Sequence, residues 1–96
     1  MIGMKMTYTK EEKMIMEVFN NIETVYKDNE TRIRRIKKEY KEFIKLWKTN
    51  YIQLVSGLNI FTDKMLEWEG KDKEMTQTYK TLIKKLRKHM RKLEVD

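Results

Sequence analysis

Apolar side chains recur in steps of three and four along most of the chain, and that rhythm belongs to helix. Ile15, Val18, Ile22 and Val25 follow it, as do Ile33, Ile36, Tyr40, Phe43 and Trp47. It resumes in Tyr51, Leu54, Leu58, Phe61, Met65 and Trp68, and again in Met75, Tyr79, Leu82, Leu86, Met90 and Leu93. Such steps stack side chains on one stripe of a helix, whereas a strand alternates. Proline is absent and only Gly3, Gly57 and Gly70 are glycine, so few tight turns are expected. The predicted class is all-α: an antiparallel helical bundle, or a helical hairpin, with coiled-coil-like packing.

Local chemistry places the boundaries. Thr9-Lys10-Glu11-Glu12 fits a capping box, in which the threonine oxygen and the Glu12 carboxylate each take an orphan amide. Asp28, Asn29 and Thr31 can each cap a following helix, and Gly70 before Lys71-Asp72 reads as a helix end followed by a new cap. Three helices are predicted, about 9–28, 30–69 and 71–93, in one bundle domain over 9–96 with an N-terminal arm over 1–8. Unbroken, the middle helix would run roughly 58 Å at 1.5 Å per residue, against about 30 Å for a compact domain of this size. It therefore breaks again, at Asn50 or Gly57, or the molecule is elongated. Asn50 with Gln53 is a weaker capping box. A single break there gives a hairpin with arms at about 10–47 and 51–93, and a break at Gly57 gives four shorter helices.

Fourteen of the 26 residues from Phe43 to Trp68 are apolar, more than one stripe can hold. Phe43, Trp47, Tyr51, Leu54, Leu58, Phe61, Met65 and Trp68 are the expected core or self-association surface. A homo-oligomer is predicted, most simply a symmetric dimer.

The residues of catalysis are missing or scattered. Without cysteine there is no thiolate nucleophile and no zinc–thiolate site. The one histidine, His89, has no second histidine or acid beside it and is expected to be solvated. The glycines are too far apart to cradle a phosphate. Glu11, Glu12, Glu67 and Glu69 lie among polar residues, with nothing in their spacing to bury one and raise its pKa. Met1, Met4 and Met6 form a thioether run of the kind that binds copper(I). Methionine is abundant throughout, however, and suits core and interface filling better. No enzyme, cofactor or metal is expected.

Charge carries the remaining signal. The net charge is +7, unevenly spread: residues 31–48 hold eight basic residues against two acids, and residues 71–96 nine against four. Arg32, Arg34, Arg35, Lys37, Lys38 and Lys41 form one cluster, and Lys80, Lys84, Arg87, Lys88, Arg91 and Lys92 the other. Rows of this kind can neutralise backbone phosphates irrespective of sequence. They can also lie on an anionic membrane or in a partner's groove, or pair with the acidic blocks inside a bundle. No stretch approaches the roughly 20 apolar residues of a membrane span. No apolar leader region is evident either, so a soluble cytoplasmic protein is expected, with leaderless secretion as the alternative.

Trp68-Glu69-Gly70 is a W-x-G triplet in a helical chain of about this length, and so resembles the ESAT-6-like family of secreted helical hairpins. The resemblance implies a two-helix hairpin with the triplet in its central bend. Here the triplet lies two-thirds along the chain, and the family's C-terminal tyrosine-plus-acid signal is missing, since Ile83 follows Tyr79 by four. The leading expectation is a small adaptor or regulator, of the kind viruses and mobile elements encode, that self-associates and offers basic faces to nucleic acid. The alternative is a pure protein–protein module: an inhibitor, a scaffold or a secreted hairpin.

Overall fold

The computed structural model describes residues 7–95, and within them every regular element is helical. Helix α1 spans Lys10–Val25, α2 Asn29–Trp47, α3 Tyr51–Trp68 and α4 Lys73–Val95. Four helices replace the three predicted, and the hairpin is excluded, because the chain breaks at 28, at 50 and at 70 together. The arm's residues 1–6, with Met1, Met4 and Met6, lie outside the described residues.

Each break has a local cause. Thr9 Oγ1 accepts the Glu12 amide at 3.1 Å while the Glu12 carboxylate accepts the Thr9 amide at 3.0 Å, closing the capping box. Asp28 accepts the Thr31 amide at 2.9 Å and Asp72 the Met75 amide at 3.1 Å. At the break missing from the three-helix prediction, Asn50 Oδ1 accepts the Gln53 amide at 3.2 Å and starts α3. Gly70 takes φ +84°, a left-handed turn that L side chains resist, and so reverses the chain into α4.

Cross-links fix the directions of the helices. Asn29 Nδ2 donates to the Asp72 carboxylate at 2.8 Å and to Glu74 at 3.1 Å, so α2 and α4 begin at the same end. At the other end His89 Nε2 lies 2.6 Å from the Lys48 carbonyl, and Tyr51 donates to Glu94 at 2.6 Å. Helices α2 and α4 are thus parallel neighbours, and α3 runs against both. Glu12 accepts from Asn59 at 2.9 Å and Glu23 from the Trp68 indole at 2.9 Å, so α1 and α3 run the same way. The bundle is two antiparallel hairpins laid face to face, α1 on α3 and α2 on α4. His89, expected to be solvated, is a strut between α4 and the α2–α3 turn.

The core is an aromatic cluster centred on Phe61. Phe19, Phe43 and Tyr40 place their ring centroids 5.1, 5.7 and 6.0 Å from it, the first two edge-on. Phe43, Leu54 and Phe61 are buried within one chain, while Trp47, Leu58, Met65 and Trp68 are partly buried against that core. Tyr51 is exposed, its hydroxyl held by Glu94. Much of the apolar surplus of residues 43–68 is thus covered within the chain, while Leu46, Tyr51, Ile52 and Leu66 of the same segment stay exposed. The dimensions, 41 × 29 × 21 Å with a radius of gyration of 13.1 Å, match a compact chain of this length.

Gly57 lets the diagonal helices α2 and α3 approach. A Cβ there would stand 2.8 Å from Cε2 of Phe43 and closer still to Cζ, inside the aromatic cluster. Gly57→Ala should gain up to ~1 kcal/mol of helix propensity yet cost ~1–3 kcal/mol in overpacking. The expected net result is a lower urea midpoint, and a raised midpoint would show that the Phe43 ring gives way freely.

The caps also predict a response to acid. The Thr31 amide holds Asp28 below its ordinary carboxyl value of 3.8, and the hydrogen bond from Asn29, then the Met75 amide, does the same for Asp72. A depressed folded pKa contributes stability that is complete above the unfolded value and lost as pH falls through the folded one. Urea midpoints should therefore drop as pH falls from about 4 towards 2. The drop should be smaller in the Asp28→Asn, Asp72→Asn double variant.

Candidate nucleic-acid interface

The topology sorts the charge blocks into layers. In α1 two lysines face four acids, and in α3 one lysine faces two acids. In α2 seven basic residues face three acids, and in α4 eight face two. Because α1 packs on α3 and α2 on α4, one layer of the bundle is acidic and the other strongly basic. The two acids of the first basic block, Glu39 and Glu42, turn aside to line a trench against α1.

Helix periodicity gives each cation its place. On α2, the trench residues Glu39, Glu42 and Leu46 mark the α1 edge. Lys37, Lys41 and Lys48 fall on the opposite edge, towards α4. On α4, Glu74 faces α2 through Asn29, and Lys85 and Lys92 follow it by about three and five turns, on the same edge. Lys80, Lys84, Arg87 and Arg91 step by four, three and four along the outer face. Periodicity thus sets members of both predicted clusters on the solvent side of one layer, here called the ridge, with Lys80 beside the α3–α4 turn, and it adds Lys48 and Lys85, which sequence reasoning passed over. Arg34 and Lys38 are exposed on the outer side of α2, and Lys45, also exposed, borders the trench.

Two predicted contact residues are held within the bundle. The Arg32 Nε donates to the Tyr26 carbonyl at 2.7 Å and the Glu23 carbonyl at 3.2 Å, and its guanidinium lies 5.6 Å from the Trp68 ring centroid. It supplies the cation that the last turn of α1 lacks, at the negative end of the helix dipole. Arg35, though exposed, rests over Tyr26 at 5.1 Å.

The remaining ridge cations have no partner among the described residues. Among the described residues the ion pairs within 4 Å are those of Lys64, with Glu23 at 2.7 Å and Glu67 at 3.4 Å. None of Lys37, Lys41, Lys80, Lys84, Arg87, Lys88, Arg91 and Lys92 donates a side-chain hydrogen bond there. The acidic blocks do not consume the basic ones, because the fold sets them on opposite layers.

Between the layers lies a polar knot that the sequence did not advertise. Lys64, 2% exposed, contacts Glu23 and the Asn20 side-chain oxygen. The other Glu23 oxygen accepts the Trp68 indole N–H at 2.9 Å and the Tyr79 hydroxyl at 2.6 Å. Burial, reinforced by the Glu23 charge, pushes the Tyr79 hydroxyl far above its usual range, so it stays protonated and donates. Its position was signalled only by Lys64 being the single lysine of α3, the most apolar of the four helices. Its donors are engaged in holding α1, α3 and α4 together.

A third feature is the α1–α2 trench, about 480 Å³, with Met14, Val18 and Leu46 exposed along it by 59%, 39% and 70%. No group of three or more His, Cys, Asp or Glu positioned to hold a metal occurs among the described residues, and no described helix is long and apolar enough to cross a membrane. Comparison with protein-family models, with curated proteins and with solved structures finds no match.

Proposed function

We propose that this protein is a non-catalytic binding module, a small adaptor or regulator, that lays the parallel helices α2 and α4 along the phosphate backbone of nucleic acid. The observation that carries the reading is the ridge itself: exposed cations on two adjacent helices, with no carboxylate partner among the described residues, on the layer opposite the acids. Unneutralised like charges on one face cost folding energy, and a polyanion relieves that cost by displacing its own counterions. Insertion of α4 into a membrane surface fits less well. Its apolar stripe of Met75, Tyr79, Leu82 and Leu86 is already buried in the bundle.

The test is titration with DNA of unrelated sequence, double- and single-stranded alike, at several salt concentrations. About six phosphate contacts give a slope of log K on log salt near −4 to −5 and a loss of about 10³ between 50 and 200 mM salt. No binding at the lower salt overturns the proposal. The protein–protein alternative would then be preferred, with the exposed apolar residues of the α1–α2 trench as its support.

A further inference from the structure

Resting on that reading, we infer that the ridge is built for double-stranded rather than single-stranded nucleic acid, and that it reads no bases. The first ground is the whereabouts of the aromatic rings. Proteins that hold single strands stack successive bases on exposed aromatic side chains set in a basic groove. The chain has ten aromatic residues, and each one is accounted for elsewhere. Phe19, Tyr40, Phe43, Phe61 and Tyr79 are buried in the core. Trp47 lines the trench on the α1 side of α2. The Trp68 indole is bonded to Glu23 beneath the Arg32 guanidinium, and Tyr26 lies under Arg35. Tyr8 is bonded to Asp63, and Tyr51 is tied by its hydroxyl to Glu94. No ring stands free along the α2–α4 ridge to receive a base.

The second ground is the width of the charge. Packed helices sit about 8–10 Å apart, so α2 and α4 hold two fixed cation rows side by side. From Lys80 to Arg91 the outer row of α4 is about 16 Å long at 1.5 Å per residue. A duplex presents about ten phosphate charges along that length, on two strands flanking a groove, and one strand presents about half as many. Only the duplex supplies charge to both rows without folding back on itself. The ridge offers no free amide to read adenine, since Gln77 is turned to Thr81 at 3.5 Å. Its lysines and arginines can reach guanine as well as phosphate, and their regular spacing along the helices favours the evenly repeating phosphates.

The experiment measures the full chain against a fluorescently labelled mixed-sequence duplex of about 20 base pairs, either of its strands alone, and a second duplex of unrelated sequence, near 50 mM salt. Tryptophan emission is followed in parallel. The duplex should bind at least about tenfold more tightly than either strand, the two duplexes should agree within about threefold, and emission should stay unchanged in all titrations. Equal or tighter binding of a single strand, or strong quenching of Trp47 or Trp68 by it, overturns the duplex assignment while leaving nucleic-acid binding intact. Failure to bind any of the probes removes the underlying reading and this inference with it.

Discussion

Glu23→Ala should cost about 3–5 kcal/mol of folding stability, a large part of the roughly 5–15 kcal/mol available to a single domain. The substitution leaves the Lys64 ammonium, 2% exposed, facing Asn20 and a distant Glu67 carboxylate at 3.4 Å. It also strips the Trp68 indole N–H and the Tyr79 hydroxyl of their acceptor at one stroke. Unpaired buried donors and an uncompensated buried cation are each expensive, and here three groups lose the same partner. The Glu23→Leu, Lys64→Met double variant should recover most of the loss, because replacing both ends of a buried pair by apolar groups is often neutral or better. Urea unfolding of the single and double variants at neutral pH checks both statements. A cost below about 1 kcal/mol for Glu23→Ala would mean that water reaches Lys64 and that the knot is not sealed.

That knot also shows where the sequence was silent. The rhythm of threes and fours named the helices, and on α4 it named the buried residues correctly: Met75, Tyr79, Leu82, Leu86 and Met90. On α1 the rhythm chose Val18 and Val25, which are 39% and 65% exposed, while Phe19, 1% exposed, carries the core. On α3 it chose Met65, while Ile60 and Lys64 are the buried neighbours. A helix packed on several sides has no single stripe, so periodicity alone cannot fix its rotation. Caps were legible because they are local: Thr9 with Glu12, Asp28, Asn50 and Gly70 all act within a few residues. What a few residues at each break could not convey was that all the breaks are used together, since that depends on contacts between helices far apart in sequence, such as Phe43 against Gly57. The charge blocks were visible as numbers, but their layering was not. It follows from α2 and α4 being parallel neighbours, a topology set by contacts such as Asn29 with Asp72, 43 residues apart in sequence.

Reversing four charges on α4, Lys84→Glu, Arg87→Glu, Lys88→Glu and Arg91→Glu together, should weaken duplex binding by at least about a hundredfold at 50 mM salt, with little change in folding. Each phosphate contact removed lowers the salt slope by about one, so the variant's slope should fall by about four and nearly vanish. All four residues are exposed, and Leu86 and Met90, which lie between them, supply the burial that holds the helix. The fold should tolerate the change for a further reason: reversal lowers the excess positive charge of the basic layer and so relieves its self-repulsion. New acids near the C-terminus of α4 meet the negative end of its dipole, which offsets part of that relief by ~0.3–1 kcal/mol. Helicity by far-ultraviolet circular dichroism and the urea midpoint should therefore stay close to those of the unaltered chain while affinity collapses. Unchanged affinity would place the contact surface off α4. Loss of helicity along with affinity would make these side chains structural, which their exposure and lack of protein partners argue against.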